Sequence, residues 1–164
     1  MNTSSPFKVL FLCTGNSARS ILAESLLKHF SHARFESYSA GSNPKKEPHP
    51  MALRVLREAY KIDPSGARSK SWEEFKKSGA TFDFIITVCD NARESCPVWP
   101  GQPILAHWGS PDPAAFVGTE KETYDCFFKV ALQIQRRIEL FCALPLEKLD
   151  RLRQAELTQD IGAR

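Results

Sequence analysis

The chain alternates short apolar runs with longer segments of helical period. Phe7–Leu12 (FKVLFL) is apolar, brief and ended by a glycine-containing loop, the pattern of a buried strand. From about Ala18 to Phe30, Leu22, Leu26 and Phe30 recur every fourth residue with Ala23 and Leu27 beside them, which predicts a helix with one buried face. Phe35–Ser39 predicts a second strand, followed by the turn-rich stretch Gly41–Pro50. Pro50 is a favoured first-turn residue and opens a helix over Met51–Tyr60. Ser71, with Glu74 three residues on, predicts a short capped helix over Ser71–Lys77. Phe82–Val88 (FDFIITV) reads as a third strand and Ile104–Ala106 as a fourth. Thr119 and Glu122 form a second capping signature, and the helix behind it places Phe127, Ala131, Ile134, Ile138 and Phe141 on one face.

Strands alternating with helices predict an α/β fold, a four-stranded parallel sheet flanked by helices. At 164 residues the chain fits one domain and can build a core without a disulfide or a metal. The catalytic domain is expected over residues 1–144. Residues 145–164 are charged and poor in large apolar groups, and are expected to form a frayed helix or polar C-terminal tail outside the core.

Composition narrows the setting. The net charge of +3 is small and spread along the chain, which argues against nucleic acid and suits an anionic substrate. No stretch approaches the roughly 18 apolar residues of a membrane span. Met1–Pro6 is polar without lysine or arginine, and Val9–Leu12 is too short for a signal-peptide core, so the expected location is cytoplasmic. There, five cysteines read as free, catalytic or metal-bound rather than as structural disulfides. His29, His32, His49 and His107 lack ligand spacing, and no metal is expected. Trp72, Trp99 and Trp108, and the helical Cys126 and Cys142, read as packing residues.

In open parallel sheets, ligands bind at the carboxyl ends of the strands. Cys13, Cys89 and Asp112 follow the first, third and fourth strands, so the pattern gathers them in one crevice. The loop Cys13-Thr14-Gly15-Asn16-Ser17-Ala18-Arg19-Ser20 carries the chemistry. It runs into a helix N-terminus, where unpaired backbone N–H groups favour negative charge. Arg19 adds a planar cation that can hold two oxygens, and Ser20 can donate to the sulfur. Gly15 lets the backbone turn, and Asn16 tolerates unusual angles. The set predicts a Cys13 thiolate facing a tetrahedral oxyanion.

CTGNSARS resembles the active-site loop of the low-molecular-weight protein tyrosine phosphatases and of the arsenate reductases that share their fold. The likeness continues through Tyr38-Ser39-Ala40-Gly41, the Cys89 segment and His107-Trp108-Gly109 to Asp112-Pro113. It implies that Asp112 is the general acid that protonates the leaving oxygen; by residue type alone, Asp-Pro is also a turn starter.

Cys89 and Cys96 lie seven residues apart. On residue type they read either as small buried hydrophobes or as a redox pair. In a helix they would sit roughly 10 Å apart, whereas a disulfide needs Cα atoms within about 7 Å. A bond between them therefore requires the segment to unwind. Their order and spacing resemble the thioredoxin-coupled arsenate reductases. That resemblance implies a relay in which Cys13 attacks arsenate, Cys89 displaces arsenite from Cys13, and Cys96 takes over the disulfide. No bound cofactor is implied, only an external thiol reductant, thioredoxin or glutathione with glutaredoxin.

Two departures matter. Some relatives hold potassium with an Asn, a Glu, a Ser and an Asp; Asn16, Glu24 and Ser39 match, but the Asp position carries Lys70, whose ammonium is expected in the cation's place. The phosphatases often carry tyrosines after Asp-Pro, where this chain has Ala114-Ala115-Phe116. Arsenate reduction is the leading reading. The alternatives are a phosphatase acting on phosphotyrosine or aryl phosphates through a Cys13 phosphoenzyme, and an oxyanion- or redox-sensing binding protein.

Overall fold

The structure, a computed structural model, describes residues 5–164; the first four residues of the polar Met1–Pro6 stretch lie outside the described residues. Four parallel strands, β1 (Phe7–Cys13), β2 (Phe35–Gly41), β3 (Phe84–Thr87) and β4 (Ile104–His107), lie in the order β2-β1-β3-β4. Val9–Leu12 of β1 are fully buried because the strand is flanked on both edges and covered by helices. The helices are α1 (Arg19–Phe30), α2 (Pro50–Tyr60), α3 (Glu73–Ser78), α4 (Asp90–Ser95), α5 (Glu120–Cys142) and α6 (Arg151–Ile161).

Helix α1 packs on β1, β2 and α5, and the predicted stripe of α5 is buried: Phe127, Ala131, Ile134, Ile138 and Phe141 are each at most 2% exposed. Phe141 anchors the sheet-helix interface. Its ring stacks on Phe35 with centroids 4.8 Å apart and meets Phe84 and Trp108 edge-on at 5.1 and 5.5 Å. Trimming such a buried aromatic to alanine costs about 3–5 kcal/mol. The capping box at Thr119 forms in both directions with Glu122.

Two expectations need correction. At Ser71 the box is incomplete: Ser71 Oγ accepts from Glu73 N, but Glu74 pairs with Arg68 and the helix begins at Glu73. The larger change is the C-terminal segment. The expected tail from Pro145 contains the ordered helix α6, packed against β4, and adds fully buried Leu146 and nearly buried Ile161 to the core. Its apolar signal is sparse, because the docking runs largely through backbone oxygens and close approach, which leave no apolar stripe.

Candidate active site

The loop from Cys13 to Ala18 is held from outside by its carbonyls. Those of Cys13, Thr14, Gly15 and Ser17 accept N–H bonds from Ser42, Asn43, Lys45 and His49 at 3.2, 3.0, 2.8 and 2.9 Å. Among the described residues the N–H groups of Thr14 to Ala18 find no backbone acceptor in return. A strut over 42–49 thus leaves the amides of the loop as donors for an anion. The left-handed position falls on Asn16 (φ 46°) and not on Gly15. Asn16 is fully buried and spends its side chain on the loop's framework: Nδ2 donates to Ser20 Oγ (2.8 Å) and Ser39 Oγ (2.9 Å), and Oδ1 accepts from Lys70 N (2.9 Å). Ser20 Oγ therefore serves Asn16; its expected bond to the Cys13 sulfur is absent among the described contacts. Gly41 closes the arrangement, since a Cβ there would lie 2.4 Å from Thr14 O.

Cys13 is 5% exposed, and Cys89 lies near it across the Thr14 hydroxyl. Contrary to the expected thiolate, the neighbouring Cys89 and burial push the Cys13 thiol up, against the pull of Arg19. Cys13 in turn pulls Cys89 down to about 5, aided by the Thr14 hydroxyl, a backbone bond from Ala92 and Arg19, against burial. Thr14 Oγ1 lies 3.5 Å from Cys89 Sγ and accepts from Asn91 Nδ2 at 2.9 Å, which ties the loop to α4.

Arg19 opens α1. Its Nη1 donates to Ser110 O (2.9 Å), its Nη2 lies 3.9 Å from Asp112 Oδ2, and its buried Nε has no protein partner, leaving a donor fit for a bound oxyanion. Asp112 is half-exposed and caps a short 3-10 turn, Pro113–Ala115, by accepting from Ala114 N at 3.0 Å. It is both the turn starter and the carboxyl group at the mouth. A cavity of about 420 Å³ is lined by residues 13–19, by Asn43–Lys45 and by Asp112, Ala114 and Ala115.

Of the expected residues, Cys13, Arg19, Asp112 and Cys89 come together. Cys96 does not join them. Cys89 caps the N-terminus of α4 and Cys96 its C-terminus, and Cys96 lines a different cavity of about 510 Å³ with Arg93, His107 and Gln159. His107 bridges Thr87 Oγ1 (2.8 Å) and Asp90 Oδ1 (3.0 Å), anchoring the first turn of α4 to β4. Burial pushes Cys96 up, offset by the Trp99 indole.

Lys70 sits where a cation was expected. Its side chain is 8% exposed, and its Nζ lies 3.7 Å from Glu24 Oε1 and donates to Arg68 O. Glu24 in turn accepts from Ser39 Oγ, so Asn16, Ser39, Glu24 and Lys70 form one network under the loop. Burial lowers the Lys70 pKa, and Glu24 opposes that shift. Among the described residues no group of three His, Cys, Asp or Glu side chains is placed to hold a metal, and no helix is long and apolar enough to cross a membrane.

Sequence reasoning missed Lys45 at the cavity wall, Asn91 on α4 and Ser110 beneath Arg19. The rule that parallel sheets bind at the carboxyl ends of strands marks the 42–49 loop after β2, and would have nominated Lys45.

A parallel α/β sheet with the Cys13–Ser20 loop leading from β1 into α1 defines the class of fold. The chain belongs to the low molecular weight phosphotyrosine protein phosphatase family, whose model matches residues 8–154. Within that family it is similar to the arsenate reductases of Shouchella clausii (38% identical over 136 residues) and Bacillus subtilis (35% over 136); each match covers 81% of this chain and 93% of the relative. Among solved structures, an arsenate reductase in the phosphate binding state superposes with a TM-score of 0.70 at 29% identity, covering 84% of this chain and 97% of that one. A Corynebacterium glutamicum thioredoxin-dependent arsenate reductase gives 0.57 at 27%, covering 85% and 65%.

Proposed function

We propose that this protein is an arsenate reductase that converts arsenate to arsenite through a Cys13, Cys89 and Cys96 relay. The observation that carries the relay is the position of Cys89 at the oxyanion loop, with its Sγ 3.5 Å from the hydroxyl of Thr14, the residue next to Cys13. A hydrolase uses water to resolve its cysteine adduct; here a second sulfur stands at the loop that carries the first.

Arsenate enters the cradle of loop amides, with Arg19 holding two of its oxygens. Cys13 attacks arsenic, passing its proton to the Cys89 thiolate, and Asp112, as the general acid, delivers a proton to the departing oxygen, which leaves as water. Cys89 then passes that proton to an oxygen of the arsenic adduct and attacks the Cys13 sulfur as the thiolate. The sulfur–arsenic bond breaks, its electron pair stays on arsenic, and arsenite leaves as Cys13–Cys89 becomes a disulfide. Cys96 then attacks Cys89, freeing the Cys13 thiolate. This last step needs α4 to unwind. The helix has six residues, mostly polar, and Pro97 follows Cys96, so little holds it beyond its anchors at His107 and Thr14. An external thiol reductant reopens Cys89–Cys96 by exchange. Thioredoxin is the proposed donor, after the thioredoxin-dependent relative; the protein acts in the cytoplasm.

Phosphate esters share the shape and charge of arsenate, and the intact loop with Asp112 supports slow aryl phosphate hydrolysis as a side reaction. The small walls at Ala114 and Ala115 give an aromatic ring little to stack on. The test is arsenite formation from arsenate with thioredoxin, thioredoxin reductase and NADPH. Cys89→Ser and Cys96→Ser should each abolish turnover. Turnover surviving in both variants would rule out the relay.

A further inference from the structure

We propose that helix α6 is a positioning element for the general-acid loop, acting through Arg137 on α5. The inference rests on Asp112 being the general acid.

Arg137 is 5% exposed and has no Asp or Glu side-chain partner among the described residues. Its guanidinium is satisfied by oxygens from two segments. One is the loop before Asp112: Nη1 donates to Gly109 O (2.8 Å) and to Ser110 Oγ (3.3 Å). The other is the end of α6: Nη2 donates to Gly162 O (3.3 Å) and Nε to the backbone oxygen of Arg164 (3.3 Å). A buried cation is costly unless its hydrogen bonds are filled, and burial lowers the pKa of this one. Its rigid planar fork fixes the oxygens it meets. Moving either segment breaks bonds to the other.

Ser110 carries the coupling into the active site. Its carbonyl accepts from Arg19 Nη1, and Asp112 follows two residues later. Helix α6 also grips the start of the same loop. Trp108 Nε1 donates to Thr158 O (3.0 Å) and Gln159 Nε2 to Leu105 O (3.0 Å). The closest approach is at Gly162, where a Cβ would lie 2.0 Å from His107 O and 3.0 Å from Trp108 Cδ1. Only glycine permits this docking. Beyond the bond from Ala114 N to Asp112 Oδ1, the stretch Trp108–Asp112 has no regular secondary structure of its own to set where Asp112 stands.

The device has a specific signature. If α6 acts on catalysis through Asp112, loosening it costs nothing once Asp112 can no longer donate a proton. The experiment is a double-mutant cycle on arsenite formation in a single turnover, with Gly162→Ala, Asp112→Asn and both together, alongside thermal melts. Asp112→Asn should slow the reaction by roughly 100-fold or more. Gly162→Ala should slow it roughly 10-fold, as expected for a displaced catalytic group, and should add less than about twofold in the Asp112→Asn background. Arg137→Lys, which keeps charge but loses the fork, should repeat that pattern.

Equal losses in both backgrounds, or no loss from either Gly162→Ala or Arg137→Lys, would overturn the positioning role. An Asp112→Asn variant as fast as the parent would instead overturn the acid assignment on which it rests.

Discussion

Gly41→Ala is the sharpest test of the loop's architecture, because the clash is between backbone atoms that cannot rotate away. The new Cβ would stand 2.4 Å from Thr14 O and 3.1 Å from Asn16 N, whereas real Cβ contacts do not fall below 3.0 Å. Neither side yields easily. Gly41 pairs with Cys13 in the β1–β2 ladder, its N–H donates to Lys70 O at 2.9 Å, and its carbonyl accepts from Trp72 N at 3.0 Å. Thr14 O is itself held by Asn43 N at 3.0 Å. The loop therefore moves, on the order of 1 Å, and a displacement of that size costs roughly 100-fold in rate. Overpacking adds about 1–3 kcal/mol of destabilisation, or a Tm lower by about 2–10 °C. The assays are single-turnover arsenite formation, inhibition by phosphate and a thermal melt. Gly66→Ala is the control, since nothing lies within 4 Å of a Cβ there. A Gly41→Ala protein with parental rate and parental phosphate affinity would refute the account of the loop.

The other predictions concern charge. With the Lys70 ammonium beside Glu24, arsenite formation should proceed equally in potassium and sodium salts. Lys70→Met, which strands Glu24 and Ser39, should cost about 1–3 kcal/mol in chemical denaturation and make the variant respond to potassium; a strong potassium response in the parent would count against the assignment. The Cys13–Cys89 pair should keep one thiolate from neutral pH down to about 5, where Cys89 takes up its proton. Ultraviolet thiolate absorbance should therefore fall below about pH 5 rather than near the ordinary thiol range, and Cys89→Ala should remove that low-pH step.

The sheet and the oxyanion loop were legible in the sequence for physical reasons. Short apolar runs such as Phe7–Leu12 can be satisfied only in a buried strand, and Cys13 through Ser20 carries a nucleophile, a cation and a helix start in one stretch. The 23-residue helix α5 was legible from its stripe and its capping box. Helix α6 was not, because it docks through the oxygens of Thr158, Gly162 and Arg164 and through the missing Cβ of Gly162, none of which alters a hydropathy pattern. Arg137 was hidden for the same reason: a charge within an amphipathic helix reads as solvent-facing until its partners are known. The spacing of Cys89 and Cys96 placed them two helical turns apart. It did not reveal that one sulfur would meet the Thr14 hydroxyl of the oxyanion loop and the other line a separate cavity beside His107.

The relay is tested most directly by one turnover without reductant. The reduced protein is mixed with excess arsenate, quenched in acid, alkylated and digested, and the cysteine peptides are identified by mass. The account predicts one arsenite released per chain, a Cys89–Cys96 disulfide and an alkylated, free Cys13. Arsenite release with Cys89 and Cys96 both alkylated, or with Cys13 linked to Cys126 or Cys142, would contradict it.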